Sequence, residues 1–137
     1  MKNDIAGKSY IGDAKIILKE AEESFNKGYN HRTIRKCQES VELALKGILR
    51  IVGIEYPKSH RIGGAIKDSA LKEKLDEGTL ERIITIADRL ADERGIAFYG
   101  SDTSSAKDMF DEDDASEALV DTRYIMKIID KFLDEFQ

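Results

Sequence analysis

The sequence predicts an all-α fold, an antiparallel up-and-down bundle of four long helices plus one short helix. Apolar residues recur at intervals of three and four along four long segments, and no segment shows the two-residue alternation of a strand. The composition, 41% hydrophobic and 36% charged, is typical of a globular helical protein. The length of 137 residues fits one domain, residues 1–137, with a flexible N-terminus over about residues 1–9.

The first two helices are predicted over about residues 10–27 and from the N-cap Asn30 to Gly53, with Gly28 ending the first. The second carries its apolar residues on one face: Ile34, Cys37, Val41, Leu45, Ile48 and Val52. A loop containing Pro57 follows, and a short third helix is predicted over about residues 62–75. Together these segments place two long helices side by side, joined by a tight turn.

The fourth helix is predicted to start at an N-cap, Thr79, and the fifth to span about residues 113–136. Between them, the polar segment of about residues 100–111 is predicted to be a mobile loop. The acidic run 111–114 is interpreted as capping the fifth helix, because carboxylates favour a helix N-terminus. We therefore predict no metal site there.

The sequence lacks the motifs of several common classes of nucleotide-binding, metal-binding and membrane proteins. The sequence has no P-loop, dinucleotide fingerprint or zinc-ligand spacing, so no cofactor is predicted. Without a long apolar run or a cysteine pair, we expect a cytoplasmic protein without membrane contact, and a buried structural thiol at Cys37.

Charge is distributed unevenly along the chain. The net charge is −5, but Lys27 to Arg61 contains 8 basic and 3 acidic residues, a balance of +5 that leaves −10 elsewhere. A basic patch on an acidic body favours a local anionic ligand over duplex DNA.

A polar stripe runs along one edge of the second helix. Gln38, Glu42 and Lys46 lie within about 80° of one another, with Glu42 four residues before Lys46 as an ion pair requires. Leu49 falls inside this stripe, which indicates either a surface covered by a second copy of the chain or a lone surface leucine.

Arg94 continues the apolar stripe of the fourth helix. A charge at an inward position is costly unless it is paired or reaches a wet cleft, so Arg94 is a candidate ligand for phosphate or carboxylate. Two structural alternatives stay open. The arginine can satisfy carbonyls at the helix end before Gly95, or it can pair with an acidic residue of the fifth helix.

The stretch from Cys37 to Ile66 resembles the HEPN family of small helical domains. Gln38, Glu42 and Lys46 match its Gln-x3-Glu-x3-Lys pattern, and Pro57 and His60 match its Pro-x-x-His loop. The resemblance implies a homodimer formed through helical faces. It also implies a possible partner of the minimal nucleotidyltransferase type, as in toxin–antitoxin pairs, which modifies a hydroxyl such as that of Tyr99.

HEPN ribonucleases carry an arginine followed, after four to six residues, by a histidine. Here the sequence reads Arg94-Gly-Ile-Ala-Phe-Tyr99, and no histidine follows downstream. A phenol is a poor general base at neutral pH, although it can bind phosphate or stack on a base. His60 is expected to hold its loop against neighbouring helices, and His31 to lie near the start of the second helix.

The sequence thus favours a dimeric domain that binds a nucleotide or RNA without strong catalysis. Its candidate binding residues are Arg94, Tyr99, Lys46, Arg50 and His60. One alternative is an active ribonuclease, with Arg94 and Tyr99 as candidate catalytic residues. The other is a structural interaction module in which Leu49 and the polar stripe form a protein interface and no nucleotide binds. The dimer interface is predicted to contain Gln38, Glu42 and Leu49.

Overall fold

A computed structural model describes residues 2–56, 58–67 and 70–136, so Pro57 of the predicted loop pattern lies outside the described residues. Within these ranges the chain forms six α-helices and no strand. The helices are α1 (Lys2–Asn26), α2 (Asn30–Ile51), α3 (Gly63–Lys67), α4 (Glu77–Tyr99), α5 (Ala106–Met109) and α6 (Glu112–Phe136). The predicted all-α class is confirmed.

Helix α2 lies at the centre of the bundle and packs against α1, α4 and α6. Helices α1 and α6 are antiparallel, because Lys15 of α1 pairs with Asp130 of α6 whereas Glu22 pairs with Arg123. In α4 and α6, Arg82 pairs with Asp121 and Arg89 with Glu117, so these two helices are antiparallel. Helices α1 and α2 are antiparallel too, because Lys36 pairs with Glu20 and Ser40 donates a hydrogen bond to the Ala14 carbonyl. The four long helices therefore alternate in direction, as the predicted up-and-down arrangement requires.

Helices α1 and α2 cross at a pair of glycines. A Cβ atom on Gly47 would lie 2.7 Å from the carbonyl oxygen of Gly7, and one on Gly7 would lie 2.6 Å from that of Gly47. The two backbones can approach this closely only because neither residue has a side chain. Helix α1 begins at Lys2, well before the predicted start at residue 10, and it needs these early residues to make this contact.

The helix ends differ from prediction in instructive ways. Asp76 rather than Thr79 caps α4, since its carboxylate accepts bonds of 2.8 Å from both the backbone NH and the hydroxyl of Thr79. Tyr29 rather than Asn30 stands at the N-cap of α2. The acidic run does cap α6, through reciprocal bonds between Asp111 and Asp114 of 2.8 and 2.9 Å. The sequence predicted Thr79 as the cap because Asp and Thr are both favoured at N-caps, and these two residues are only three positions apart.

The two connections between long helices both differ from the sequence prediction, one with less helix and one with more. The predicted third helix divides into α3 and a 3-10 turn over Ala70–Glu73. The short helix α5 lies within the segment predicted as a loop. In the part of the chain that the structure describes, no helix combines the length and apolar character needed to cross a membrane.

Cys37 lies in the core, as predicted. Its side chain is fully buried, and burial raises the pKa of its thiol to about 12. A thiol that remains protonated at neutral pH is a poor nucleophile, so Cys37 serves packing.

Candidate functional site

The polar stripe of α2 converges on one carboxylate. Glu42 accepts hydrogen bonds from Gln38 Nε2 at 2.7 Å and from Lys46 Nζ at 2.8 Å. His60 Nδ1 lies 2.8 Å from the same carboxylate, so the loop before α3 is attached to α2. This contact confirms the expectation that His60 holds its loop.

Glu42 is held in its charged form. Burial alone would raise the pKa of the Glu42 carboxyl, but the hydrogen bonds from Lys46, Gln38 and His60 outweigh it and lower the pKa below its ordinary value. The charge of Lys46 acts in the same direction. The stripe is therefore an internal ion-paired network.

Two of the three residues predicted at the dimer interface are buried within the single chain. Leu49 is 0% exposed and Gln38 2% exposed in the single chain, because the chain's own residues already cover this edge of α2. A second copy is not needed to shield Leu49. The 100° periodicity placed both residues beside the apolar face correctly but could not show that the face was wide enough to include them.

Two of the predicted ligand residues also have internal partners. Lys46 is mostly buried against Glu42, and Arg50 donates a hydrogen bond of 2.9 Å to the hydroxyl of Tyr10. Arg50 additionally lines an open groove of about 580 Å³ at the C-terminal end of α2. These residues lie at the opposite end of α2 from Arg94, so the structure does not bring the five predicted ligand residues together.

Arg94 lies beside an aromatic ring near the C-terminus of α4. Its guanidinium carbon is 4.7 Å from the centre of the Phe98 ring, and its Nε is buried without a hydrogen-bond partner. It makes no ion pair with another described residue, so the expected partner on the last long helix is not found there. A buried donor without an acceptor is costly, so Arg94 remains a candidate ligand-binding residue.

A second arginine meets the same ring. The guanidinium carbon of Arg35, on α2, lies 3.7 Å from the centre of Phe98. Tyr99 follows, with its ring centre 5.9 Å from that of Phe98 and 83% of its surface exposed. Two cations thus flank an aromatic ring beside an exposed phenol, an arrangement suited to phosphate and a stacked base.

Charge pairing separates this end of the bundle from the rest. Four of the eight arginines bind carboxylates, namely Arg61, Arg82, Arg89 and Arg123, and a fifth, Arg50, binds Tyr10. The other three, Arg32, Arg35 and Arg94, have no carboxylate partner among the described residues. We call these three arginines, together with Lys107, the cationic face. In a chain of net charge −5, the cationic face therefore concentrates positive charge that no described carboxylate neutralises.

Gly100 brings Lys107 to this face. Its φ of 75° ends α4, and a Cβ there would lie 2.7 Å from the backbone nitrogen of Ala106. The turn closes with a 2.8 Å bond from Ser101 NH to the Ser104 carbonyl and directs α5 back against α2. Only glycine combines this conformation with this close approach.

His31 lies within the electrostatic reach of the cationic face. Burial lowers the pKa of His31 below its ordinary value, and the charges of Arg32, Arg35 and Lys107 lower it further. The neutral imidazole is therefore favoured at physiological pH. Within the described residues, no group of three or more His, Cys, Asp or Glu side chains is arranged to hold a metal ion.

The sequence analysis named Arg94 and Tyr99 as candidate residues but did not select Arg35, Phe98 or Lys107. Arg35 and Phe98 carried a signal, since each is a cation or aromatic near the end of a predicted helix. Lys107 carried none, because its position depends on the turn at Gly100 and on α5.

The chain is thus a small α-helical domain: an up-and-down bundle with a cationic face near the C-terminus of α4, its third long helix. The chain belongs to the HEPN family, since the HEPN domain matches residues 8–132. The family is helical and often has RNA-related functions. No curated protein matches this sequence.

The fold is shared with a solved structure. The crystal structure of TT1696 from Thermus thermophilus is similar to this chain with a TM-score of 0.74 and 20% sequence identity. The similarity covers 91% of this chain and 96% of that one.

Proposed function

We propose that this chain is a dimeric HEPN domain that binds RNA or a nucleotide, without strong catalysis, through Arg94, Arg35 and Tyr99. One observation carries the proposal. Two arginines from different helices flank Phe98, and neither has a carboxylate partner among the described residues. Guanidinium groups without carboxylates bind phosphate in planar, bidentate geometry.

Binding without strong catalysis follows from the residue at the motif position. Tyr99 stands where HEPN ribonucleases carry histidine, and a phenol transfers protons poorly at neutral pH. Its exposed ring suits stacking, and it is also accessible to an enzyme partner. A nucleotidyltransferase-type partner is accordingly part of the proposal.

Purified protein and Arg94→Ala, incubated with labelled mixed-sequence RNA, test the proposal when both retention and cleavage are followed. We expect retention without cleavage, weakened by the substitution. Retention that Arg94→Ala leaves unchanged would contradict the proposed site. Light scattering then reports the dimer, and capture from native extract reports whether a nucleotidyltransferase accompanies the chain.

Ribonuclease activity is the second candidate, and His31 is the observation that favours it. The charge of Arg35 acts on this imidazole, and Arg35 shares the Phe98 ring with Arg94. Cleavage lost in both Arg94→Ala and His31→Ala would support a nuclease in which His31 replaces the absent histidine. Cleavage unchanged in both variants would indicate a contaminant.

A further inference from the structure

A groove lies beside the cationic face, at the turn between α1 and α2. Its volume is about 450 Å³, and it is lined by Gly28, Tyr29, Asn30, His31, Arg32 and Lys107. Neither Arg32 nor Lys107 forms an ion pair with another described residue. We call this feature the turn groove.

We propose that the turn groove binds a second phosphate of a single-stranded RNA whose first phosphate is bound by Arg94 and Arg35, and that Tyr29 stacks on one of its bases. The inference rests on the proposed function and extends it. It names the ligand as a single strand of at least two nucleotides rather than a mononucleotide.

Arg35 connects the two parts of this surface. Its guanidinium stacks on Phe98 beside Arg94, and its charge also acts on His31, which lines the turn groove. The charge of Arg35 therefore acts on both parts of this surface. A positively charged surface that spans both parts suits the successive phosphates of a strand.

Exposed aromatic rings stand on both parts of this surface. Tyr99, 83% exposed, adjoins Arg94, while Tyr29, 49% exposed, lines the turn groove. Exposed aromatic rings alternating with cations are the pattern by which proteins bind single strands, because each ring stacks on an unpaired base. Duplex bases are already stacked on one another and cannot use these rings.

The size and chemistry of the turn groove fit a nucleotide. Small-molecule sites typically measure about 300–1,000 Å³, and this groove falls within that range. Its lining provides two cations, an imidazole and a phenol, but no carboxylate. A phosphate with its attached base can thus bind without repulsion.

The test measures how substitutions at different positions change the affinity for a long and a short RNA. Wild type, Arg32→Ala/Lys107→Ala and Arg94→Ala are titrated with a uridine octanucleotide and with a dinucleotide that has one internal phosphate. Arg82→Ala/Lys131→Ala is the matched control, because it removes the same residue types at the opposite end of the bundle, where Arg82 stacks on Tyr124.

We expect Arg32→Ala/Lys107→Ala to weaken octanucleotide binding at least about tenfold and to lower the salt slope by about 0.7 per lost phosphate contact. Dinucleotide binding should be little changed, whereas Arg94→Ala should weaken both ligands. Tyr29→Ala should weaken the octanucleotide by about five- to hundredfold, and Tyr29→Phe should restore it, since stacking needs only the ring.

The outcomes distinguish the inference from the function on which it rests. If Arg32→Ala/Lys107→Ala binds the octanucleotide as the control does while Arg94→Ala is weakened, the turn groove is not a subsite and the proposed function stands. If wild type binds neither RNA, both proposals fail. An equal loss for both RNA lengths would also overturn the inference, because it would indicate general electrostatic attraction.

Discussion

The Arg94 guanidinium lies 4.7 Å from the centre of the Phe98 ring, one helical turn further along α4. Arg82, which lies over the ring of Tyr124, also has a carboxylate partner in Asp121. Arg94 has no such partner among the described residues, and Arg35 adds a second charge at the same ring. Two unneutralised guanidinium groups repel each other, so bound phosphate should stabilise this end of the bundle.

The titration of His31 offers a test of this cationic environment. Burial and the charges of Arg32, Arg35 and Lys107 lower its pKa, so NMR of the free protein should show His31 titrating below about 6.5. Single-stranded RNA should move the pKa upward, because phosphate favours the imidazolium. A free-protein pKa at or above that ordinary value would contradict the description of this face.

Replacing Glu42 should change the acid stability of the fold. The pKa of the Glu42 carboxyl is lowered in the folded chain. Its contribution to the free energy of unfolding is therefore fully present above the unfolded pKa, about 4.5, and is lost as the pH falls through the folded pKa. Glu42→Gln should lower the free energy of unfolding by about 1–3 kcal/mol at pH 7, because the amide has no charge to pair with Lys46 and only one acceptor oxygen for three partners.

Denaturant unfolding at several pH values measures this effect. The difference between wild type and Glu42→Gln should shrink as the pH falls below the unfolded pKa and Glu42 itself becomes protonated in the folded chain. A difference that stays constant over the acid range would show that the Glu42 charge does not act through this network.

Two glycine-to-alanine substitutions in neighbouring helices should have opposite effects. Gly47→Ala places a methyl group 2.7 Å from the Gly7 carbonyl and should cost about 1–3 kcal/mol. Gly12→Ala meets no atom within 4 Å and should stabilise α1 by about 0.5–1 kcal/mol. Thermal unfolding measures both. A neutral Gly47→Ala would mean that α1 and α2 do not cross so closely.

The helical fold could be predicted because the spacing of apolar residues within each segment of the sequence determines it. The apolar positions of α2, such as Val41 and Leu45, recur at helical spacing and are buried as that spacing requires. The crossing of Gly7 and Gly47 could not be predicted, since a glycine inside a helix looks unfavourable until its neighbour is known. The early start of α1 was missed for the same reason.

The candidate site could be predicted only in part. Arg94 violates the apolar pattern of its own helix, so its sequence position alone marks it. Leu49 also violated its local pattern, but the cause proved to be burial within the chain. The sequence alone could not separate these cases, because the difference lies in what other helices place opposite each residue.

Cys37 should react with thiol reagents only after unfolding. Its side chain is fully buried and its pKa is raised to about 12, so little thiolate exists at neutral pH. Folded protein should resist Ellman's reagent at about pH 7.5, and protein in denaturant should release one equivalent of chromophore per chain. Rapid reaction of the folded protein would show that the core around Cys37 opens.

The most direct measurement of the central claim is the salt dependence of octanucleotide RNA binding for wild type, Arg35→Ala and Arg82→Ala. Both guanidinium carbons lie 3.7 Å from an aromatic ring centre, but Arg82 has a carboxylate partner and Arg35 has none among the described residues. We predict that Arg35→Ala weakens binding and lowers the salt slope by about 0.7, while Arg82→Ala changes neither. Equal effects of the two substitutions, or binding independent of salt, would contradict the claim that unpaired arginines at Phe98 form the site.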